Sequence, residues 1–524
     1  MSDARPASRV LGRRRAGIGL PVLSGFIAVV LALPLLFLVR EALGIGLGPV
    51  LGLIARPLTL ALLANTLRLS LAVTALCVVL GTAAAFAIER TDLRLRPLWA
   101  ALVVLPLALP DFVIAFAWSS LSTWVEGFRG AVLVMTLGAY PLVYLPVAAA
   151  LRHGDPDLED ISRSLGMGRL DTFVRVTLGQ VRGAVVGGAL LVCLVCLAEY
   201  GAFEILGYQT FTTEIFAEFS LAFSVPTACA LSLVLVALSL AALVAEQAGQ
   251  GASTRGRGAA ASHRPVSRIR LGAAAWPVTA ALALLIALAL GVPVGAALYW
   301  LMEGGPVAFT GVPLLTATAY TAAYSGAAAL LATAMALPLA LYAVRRRGPL
   351  SRLTERSTYL VLGLPGLVVA LALAYFMERY AGGLFYQSSP LLVVAYAILF
   401  FPLALTAVRA SVERVPLALE EVARSLGRGR LSVFARIVLP LAGPGLAASF
   451  CLVFLSAVTE LTATLILVPT GVQTLATQFW AYEQNLSYGQ AAPFALAIIA
   501  LAVVPTLVLG RYFDRLPARE AIGA

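Results

Sequence analysis

Long apolar runs recur twelve times along this chain, and they decide what it can fold into. Runs such as Leu98–Leu121 and Gly272–Leu301 exceed the roughly 20 residues an α-helix needs to cross a bilayer core. Hydrophobic residues make up 60% of the 524 and charged residues 12%. A soluble protein carries roughly a quarter of its residues charged, so about half the usual charged surface is missing. A large soluble protein with a greasy core does not account for such runs. The chain reads as an all-α polytopic membrane protein.

The spans fall near 18–39, 62–88, 98–121, 130–150, 183–203, 224–245, 273–301, 315–344, 357–377, 389–409, 444–467 and 491–511. The first follows Arg9, Arg13, Arg14 and Arg15 without a small-residue cleavage site, so it reads as an anchor and not as a removed signal peptide. Basic loops stay on the cytoplasmic side. Arg90, Arg94 and Arg96 fill the first such loop and Arg345, Arg346 and Arg347 open the fourth, whereas the opposite segments carry few arginines and hold Glu204, Glu214 and Glu218. The pattern predicts a multi-pass membrane protein with both termini cytoplasmic.

Net charge is +11, but the basic residues sit in short loops between apolar runs, which argues against nucleic acid. All 37 are arginine. Without lysine, neither a GxxxxGK[ST] phosphate loop nor a Schiff-base lysine is possible. Any nucleotide hydrolysis that drives this chain belongs to another. Cys77, Cys193, Cys196, Cys229 and Cys451 lie in apolar stretches, where free cysteine behaves as a small hydrophobe. His153 and His263 make no cluster, so no metal site is predicted.

The chain also repeats. Pro141 matches Pro402, Gly166 matches Gly427, Glu199 matches Glu460 and Thr213 matches Thr474, each at an offset of 261 (427 − 166). Upstream, Ala-Leu-Pro110 matches Gly-Leu-Pro365, and Thr66 matches Thr321, at 255 (365 − 110). Each half holds six spans, an even number, so both insert in the same orientation, with a pathway expected between them. The predicted order is an N-terminal segment and first anchoring span (1–61), a first repeat domain (62–246), a cytoplasmic linker (247–272), a second anchoring span (273–314), a second repeat domain (315–512) and a tail (513–524).

Two matched loops are the most informative segments. Asp155-Pro-Asp-Leu-Glu-Asp-Ile-Ser-Arg-Ser-Leu-Gly166 and Pro416-Leu-Ala-Leu-Glu-Glu-Val-Ala-Arg-Ser-Leu-Gly427 each read as helix, glycine break, helix. Glu159, Asp160, Glu420 and Glu421 suit first turns, and Arg163 and Arg424 suit last turns. Leu158, Ile161 and Leu165, like Leu419, Val422 and Leu426, recur at helical spacing and give each short helix one apolar stripe. Gly166 and Gly427 suit the left-handed residue that ends a helix. Such a helix is either a knob for another protein or an element lying on lipid, and two copies at matched positions favour a paired partner.

The second loop resembles the E-A-A-x3-G-x9-I-x-L-P signature of bacterial ABC importer permeases. Glu421, Ala423, Gly427, Ile437, Leu439 and Pro440 are in place, and Val422 replaces the first alanine. The first copy is degraded, with Asp160, Ile161, Ser162, Val176 and Gly179 at the corresponding positions. The resemblance implies two tandem six-helix repeats of the type I importer permease (MetI-like) fold. It also implies that these loops are coupling helices seated in grooves of a homodimeric ATP-binding cassette ATPase. ATP and magnesium would act on that partner, this chain would bind no cofactor, and an extracytoplasmic binding protein would deliver the substrate.

Leu-Ala-Glu199-Tyr-Gly-Ala-Phe, and Thr459-Glu460-Leu-Thr-Ala-Thr464 with Gln473-Thr474-Leu-Ala-Thr477 after it, look like the fused permeases of ferric iron importers. Thiamine, polyamine, phosphonate and inorganic-anion permeases share the plan and stay open. Glu199, Glu460 and Asp111 are candidate pathway residues, because ionisable groups at membrane depth are costly. The alternative is that they serve packing, with Arg68 and Arg182 as candidate local partners. An ion-coupled secondary transporter would also use Glu199 and Glu460, but it would not need two matched loops. A membrane scaffold would need neither.

Overall fold

The computed structural model describes residues 19–152, 154, 156–220, 225–251, 268–346, 348, 361, 363–382 and 385–514. The N-terminal arginines, most of the linker, the start of the run at 357–377 and the last ten residues lie outside them. The described residues are helical almost throughout, and their single β-type contact is an isolated parallel bridge between Thr91 and Ile269. Eight helices among the described residues are long and apolar enough to cross a membrane, or ten when two bent pairs each count as one. Against the twelve runs, the shortfall falls at Gly366–Tyr380, 15 residues long, and at the last helix, Tyr488–Asp514, where only Tyr488–Val503 counts as an apolar stretch.

Two runs expected as single spans are sharply bent. Arg96–Ala108 meets Asp111–Ser119 at 90°, and Ser389–Leu399 meets Phe401–Glu413 at 58°. Pro110 causes the first bend: it holds an extended backbone (φ −63°, ψ 142°) at the start of the second segment, where its missing N–H is harmless. Pro365 does the same before Gly366–Tyr380.

Each half is built on three helices in mutual contact. In the first they are Pro57–Arg90, Pro141–Arg152 and Leu178–Ala198, and in the second Leu314–Arg345, Phe401–Glu413 and Leu439–Val458. Small residues let these backbones close up, as is usual where lipid supplies no hydrophobic drive between helices. A Cβ on Gly81 would lie 2.8 Å from the Tyr140 carbonyl oxygen.

The anchoring spans cross over. Gly19–Ile45 packs on Leu314–Arg345 and Gly366–Tyr380 of the opposite half, with Phe37 edge-on to Phe376 at 6.0 Å. Reciprocally, Val292–Gly304 packs on Asp111–Ser119, and Trp300 Nε1 donates to Ser120 Oγ at 2.9 Å. Each half thereby completes the other's core, and Leu282, Ile286 and Ala289 belong to the buried cluster of the first half. Phe112 and Phe116 join Val458, Leu461 and Phe479 in a buried cluster that spans both halves.

Candidate functional site

The two matched loops fold alike. The helices Pro156–Ser164 and Leu417–Ser425 each end on a glycine in the left-handed region, Gly166 (φ 82°) and Gly427 (φ 81°). Beyond the glycines, Met167 N–H donates to the Ser162 carbonyl at 3.2 Å and Arg428 N–H to the Ala423 carbonyl at 3.0 Å. This six-to-one bond is the Schellman termination. One π-helical turn follows in each half, Phe173–Thr177 and Phe434–Val438, before the long core helix begins. Ile437 lies in the second of these turns, and Leu439 and Pro440 open the core helix. The first half has Gly179 in place of Pro440 and makes the same π turn, so the proline is not its cause.

The inner face of each short helix is fixed by charge. Arg90, the last residue of its core helix, lies 2.6 Å from Glu159 Oε1, and Thr177 Oγ1 donates to the same oxygen at 2.8 Å. In the second half Arg345 lies 2.7 Å from Glu420 Oε1, and Arg424 lies 2.8 Å from Oε2. Glu159 and Glu420 are 7% and 6% exposed. Buried ion pairs of this kind are costly to break from one side, by about 3–5 kcal/mol. Arg90 and Arg345 were not singled out as site residues in the sequence. The available signal was their separation of 255 (345 − 90), the offset that already relates Thr66 to Thr321.

The outer face is apolar and open. Leu158, Ile161 and Leu165 are exposed, as are Leu419, Val422 and Leu426, with Leu165 and Leu426 both at 76%. Asp160 and Glu421 are also exposed, flanking the stripes, and Ala423 faces inward. Within each acidic pair the signature residue therefore faces outward and its neighbour carries the internal ion pair. The backbone of Arg163 lies in the first helix, and its side chain lies outside the described residues.

The three candidate pathway carboxylates sit where the halves meet. The runs at 183–203 and 444–467 are not continuous helices, because each breaks at its glutamate. Glu199 Oε1 accepts from Ala202 N–H at 2.7 Å, and Glu460 Oε1 accepts from Ala463 N–H at 2.9 Å. Each thus caps a short following helix, Gly201–Ile205 or Thr462–Leu467, satisfying donors that a helix start leaves unpaired. Arg68 and Arg182 make no ion pair with either glutamate among the described residues. A Cβ on Gly201 would lie 2.7 Å from Leu461 Cδ2 and 3.1 Å from Phe112 Cβ, so the neighbours of all three acids are in contact.

Asp111 breaks the symmetry. Its counterpart is Gly366, and a Cβ there would lie 2.9 Å from Glu460 Oε1. In the first half Asp111 Oδ1 occupies the space beside Gly138, where a Cβ would lie 2.3 Å away. The counterpart of Gly138 is Leu399 (399 − 138 = 261). An acid and a glycine in one half replace a glycine and a leucine in the other. Among the described residues no group of three or more His, Cys, Asp or Glu is arranged to hold a metal ion.

One expected equivalence shifts. Thr474 N–H donates to Thr477 Oγ1 at 3.0 Å ahead of the helix Leu475–Gln484, and Thr210 N–H donates to Thr213 Oγ1 at 2.9 Å ahead of Phe211–Ser220. Thr474 therefore corresponds to Thr210, at 264 (474 − 210), and not to Thr213. Repeated threonines near one another hid the three-residue difference. The halves agree again beyond it: Thr66 Oγ1 accepts from Phe211 N–H at 3.3 Å, and Thr321 Oγ1 accepts from Leu475 N–H at 2.8 Å.

Comparison with known proteins agrees with this duplicated architecture. The family model of the binding-protein-dependent transport system inner membrane component matches residues 78–248 and again 334–519. The chain is 37% identical over 503 residues to the Fe(3+)-transport system permease protein FbpB 2 of Haemophilus influenzae, covering 95% of this chain and 99% of that protein. It is 31% identical to the molybdenum transport system permease protein ModB of Escherichia coli strain K12, over 37% of this chain and 91% of ModB. It is 28% identical to the sulfate transport system permease protein CysT of Salmonella typhimurium, over 41% of this chain and 85% of CysT. Those two relatives thus correspond to less than half of this chain, in keeping with two fused copies. Family membership implies a substrate-binding protein and an ATP-hydrolysing subunit as partners. Together with the apolar helices it makes this a multi-pass inner-membrane permease subunit with no ATPase of its own. This chain belongs to the family of binding-protein-dependent transport system inner membrane components.

Proposed function

We propose that this permease moves ferric iron, delivered by an extracytoplasmic binding protein, inward between its two halves. The observation that carries the substrate is the end-to-end match to a two-half relative whose name specifies Fe(3+) transport. The carboxylates favour the same choice over the oxyanions named for the half-length relatives. Glu199 lies within electrostatic reach of both Asp111 and Glu460, and carboxyl oxygens suit a hard cation and not an oxyanion. Iron would pass without tight coordination, its choice being made by the binding protein.

Coupling is read from the two loops. Pro156–Ser164 and Leu417–Ser425 would face the cytoplasm, with both chain termini on the same side, and each apolar stripe would seat on one subunit of an ATPase homodimer. Exposed stripes of this kind mark protein contacts. ATP binding closes the dimer, draws the stripes together and tilts the core helices to which Arg90 and Arg345 tie them. The energy comes from the different affinity of nucleotide for the two states; nucleotide and magnesium act on the partner.

Right-side-out vesicles with the ATPase bound and ATP enclosed provide the test. Uptake of ferric iron from its loaded binding protein should require ATP, and molybdate and sulfate should neither enter nor compete. Competition by either oxyanion would replace the iron reading without touching the coupling one.

A further inference from the structure

The end of the linker between the halves does more than connect them. Ile269 N–H donates to the Arg90 carbonyl at 2.8 Å, Asp92 N–H donates to the Ile269 carbonyl at 3.1 Å, and Leu271 N–H donates to Asp92 Oδ1 at 2.9 Å. These bonds fasten residues 269–271 to the end of the core helix Pro57–Arg90. Arg268 and Arg270 flank Ile269, and side chains two apart on an extended backbone fall on one face. Both line a cavity of about 420 Å³, which also borders Arg90, Glu159, Thr172 and Thr177.

The charge in this cavity is unbalanced. Glu159 is already engaged by Arg90 and Thr177, and the Thr172 hydroxyl shares a 3.0 Å hydrogen bond with Ser162. Arg268 and Arg270 have no ion-pair partner among the described residues, both are exposed, and Arg96 lies within electrostatic range of Arg268. Two guanidinium groups offer paired N–H donors, whose natural complement is a phosphate. At the repeat offset of 255 the matching residues are Arg13 and Arg15 (268 − 13, 270 − 15), ahead of the first anchoring span and outside the described residues.

We infer that the cavity between Arg268, Arg270 and the first loop helix binds a phosphate group, either the headgroup of an anionic lipid or a soluble phosphorylated molecule. Basic pockets at the cytoplasmic ends of membrane helices suit lipid headgroups, and each nearby arginine contributes about 1 kcal/mol to such attraction. A ligand there touches the linker and the first loop helix together. It would therefore tune the first loop. The lipid arm rests on the cytoplasmic placement proposed above. Binding is read on the purified chain, so its failure leaves the transport reading standing, and a failure of iron uptake leaves the binding result standing.

The full chain is delipidated, returned to phosphatidylcholine nanodiscs and followed by thermal unfolding with phosphatidylglycerol, inorganic phosphate or ATP added. A rise in the unfolding temperature is expected with one of these, lost in Arg268→Gln/Arg270→Gln and partly kept in Arg268→Lys/Arg270→Lys. A rise with phosphatidylglycerol alone identifies a lipid headgroup; a rise with phosphate or ATP in neutral nanodiscs identifies a soluble ligand. Native mass spectrometry should show phosphatidylglycerol binding to the glutamine variant roughly thirtyfold weaker if lipid is the ligand. No rise with any probe, or an equal rise in wild type and the glutamine variant, overturns the inference.

Discussion

Arg345 Nη2 lies 2.7 Å from Glu420 Oε1, joining the last residue of a core helix to the buried face of the second loop helix. This contact turns a surface helix into a lever, because movement of the loop must move the core helix with it. Replacing Glu420 by alanine leaves the half-buried Arg345 without its carboxylate, a loss of about 2–3 kcal/mol. The loop helix should then detach, seen as faster proteolysis between 410 and 440 with the remaining helices intact. The pair replacement Arg345→Met/Glu420→Met should recover most of the protection, since apolar substitutes of similar size often match a buried pair.

The exposed stripes make the opposite prediction. Val422→Asp and Leu426→Asp change side chains that touch solvent in the isolated chain, so its unfolding temperature should hardly move. Binding of the ATPase subunit should fall by about 2 kcal/mol, roughly thirtyfold, as expected for the centre of an interface. A pull-down with the purified ATPase reads this directly, and unchanged affinity would remove the docking role from this face.

Gly427 tests the turn itself. At φ 81° a side chain costs about 1–2 kcal/mol, and asparagine costs least. Gly427→Val should therefore impair uptake more than Gly427→Asn, with equal amounts of each protein in the membrane. Equal uptake by both would mean that the turn geometry is unimportant.

Glu199 and Glu460 separate capping from charge. Glutamine keeps an acceptor oxygen for Ala202 or Ala463 N–H, whereas alanine removes the cap at about 1 kcal/mol. Insertion and thermal stability should survive Glu199→Gln/Glu460→Gln, while iron uptake falls roughly tenfold or more through loss of the ionisable carboxyl groups beside the path. Uptake unchanged in the glutamine pair and lost only in the alanine pair would make both residues structural.

Most of the architecture was legible because lipid-crossing helices and a duplicated chain leave strong periodic signals. The apolar stripes, the glycine stops and the matched glutamates all came from spacing along one helix or from the repeat. What was hidden depended on contacts between distant segments. Composition could not show that the run at 98–121 turns through 90°, since an apolar helix and an apolar bent pair look alike. Nor could it tell Glu420 from Glu421: adjacent acids differ by about 100° around a helix, and only the position of Arg345 decides which one turns inward. The exchange of anchoring spans between halves left no local trace at all.

The central claim is that energy enters through the two loop helices from a separate ATP-hydrolysing subunit. The most direct measurement is uptake of radiolabelled ferric iron into proteoliposomes containing this chain, with the ATPase and the loaded binding protein added or withheld. Accumulation should occur only with all three proteins and ATP, and should disappear when Leu165 and Leu426 are both replaced by aspartate. Accumulation by the chain alone, or wild-type rates in that double variant, would contradict the account.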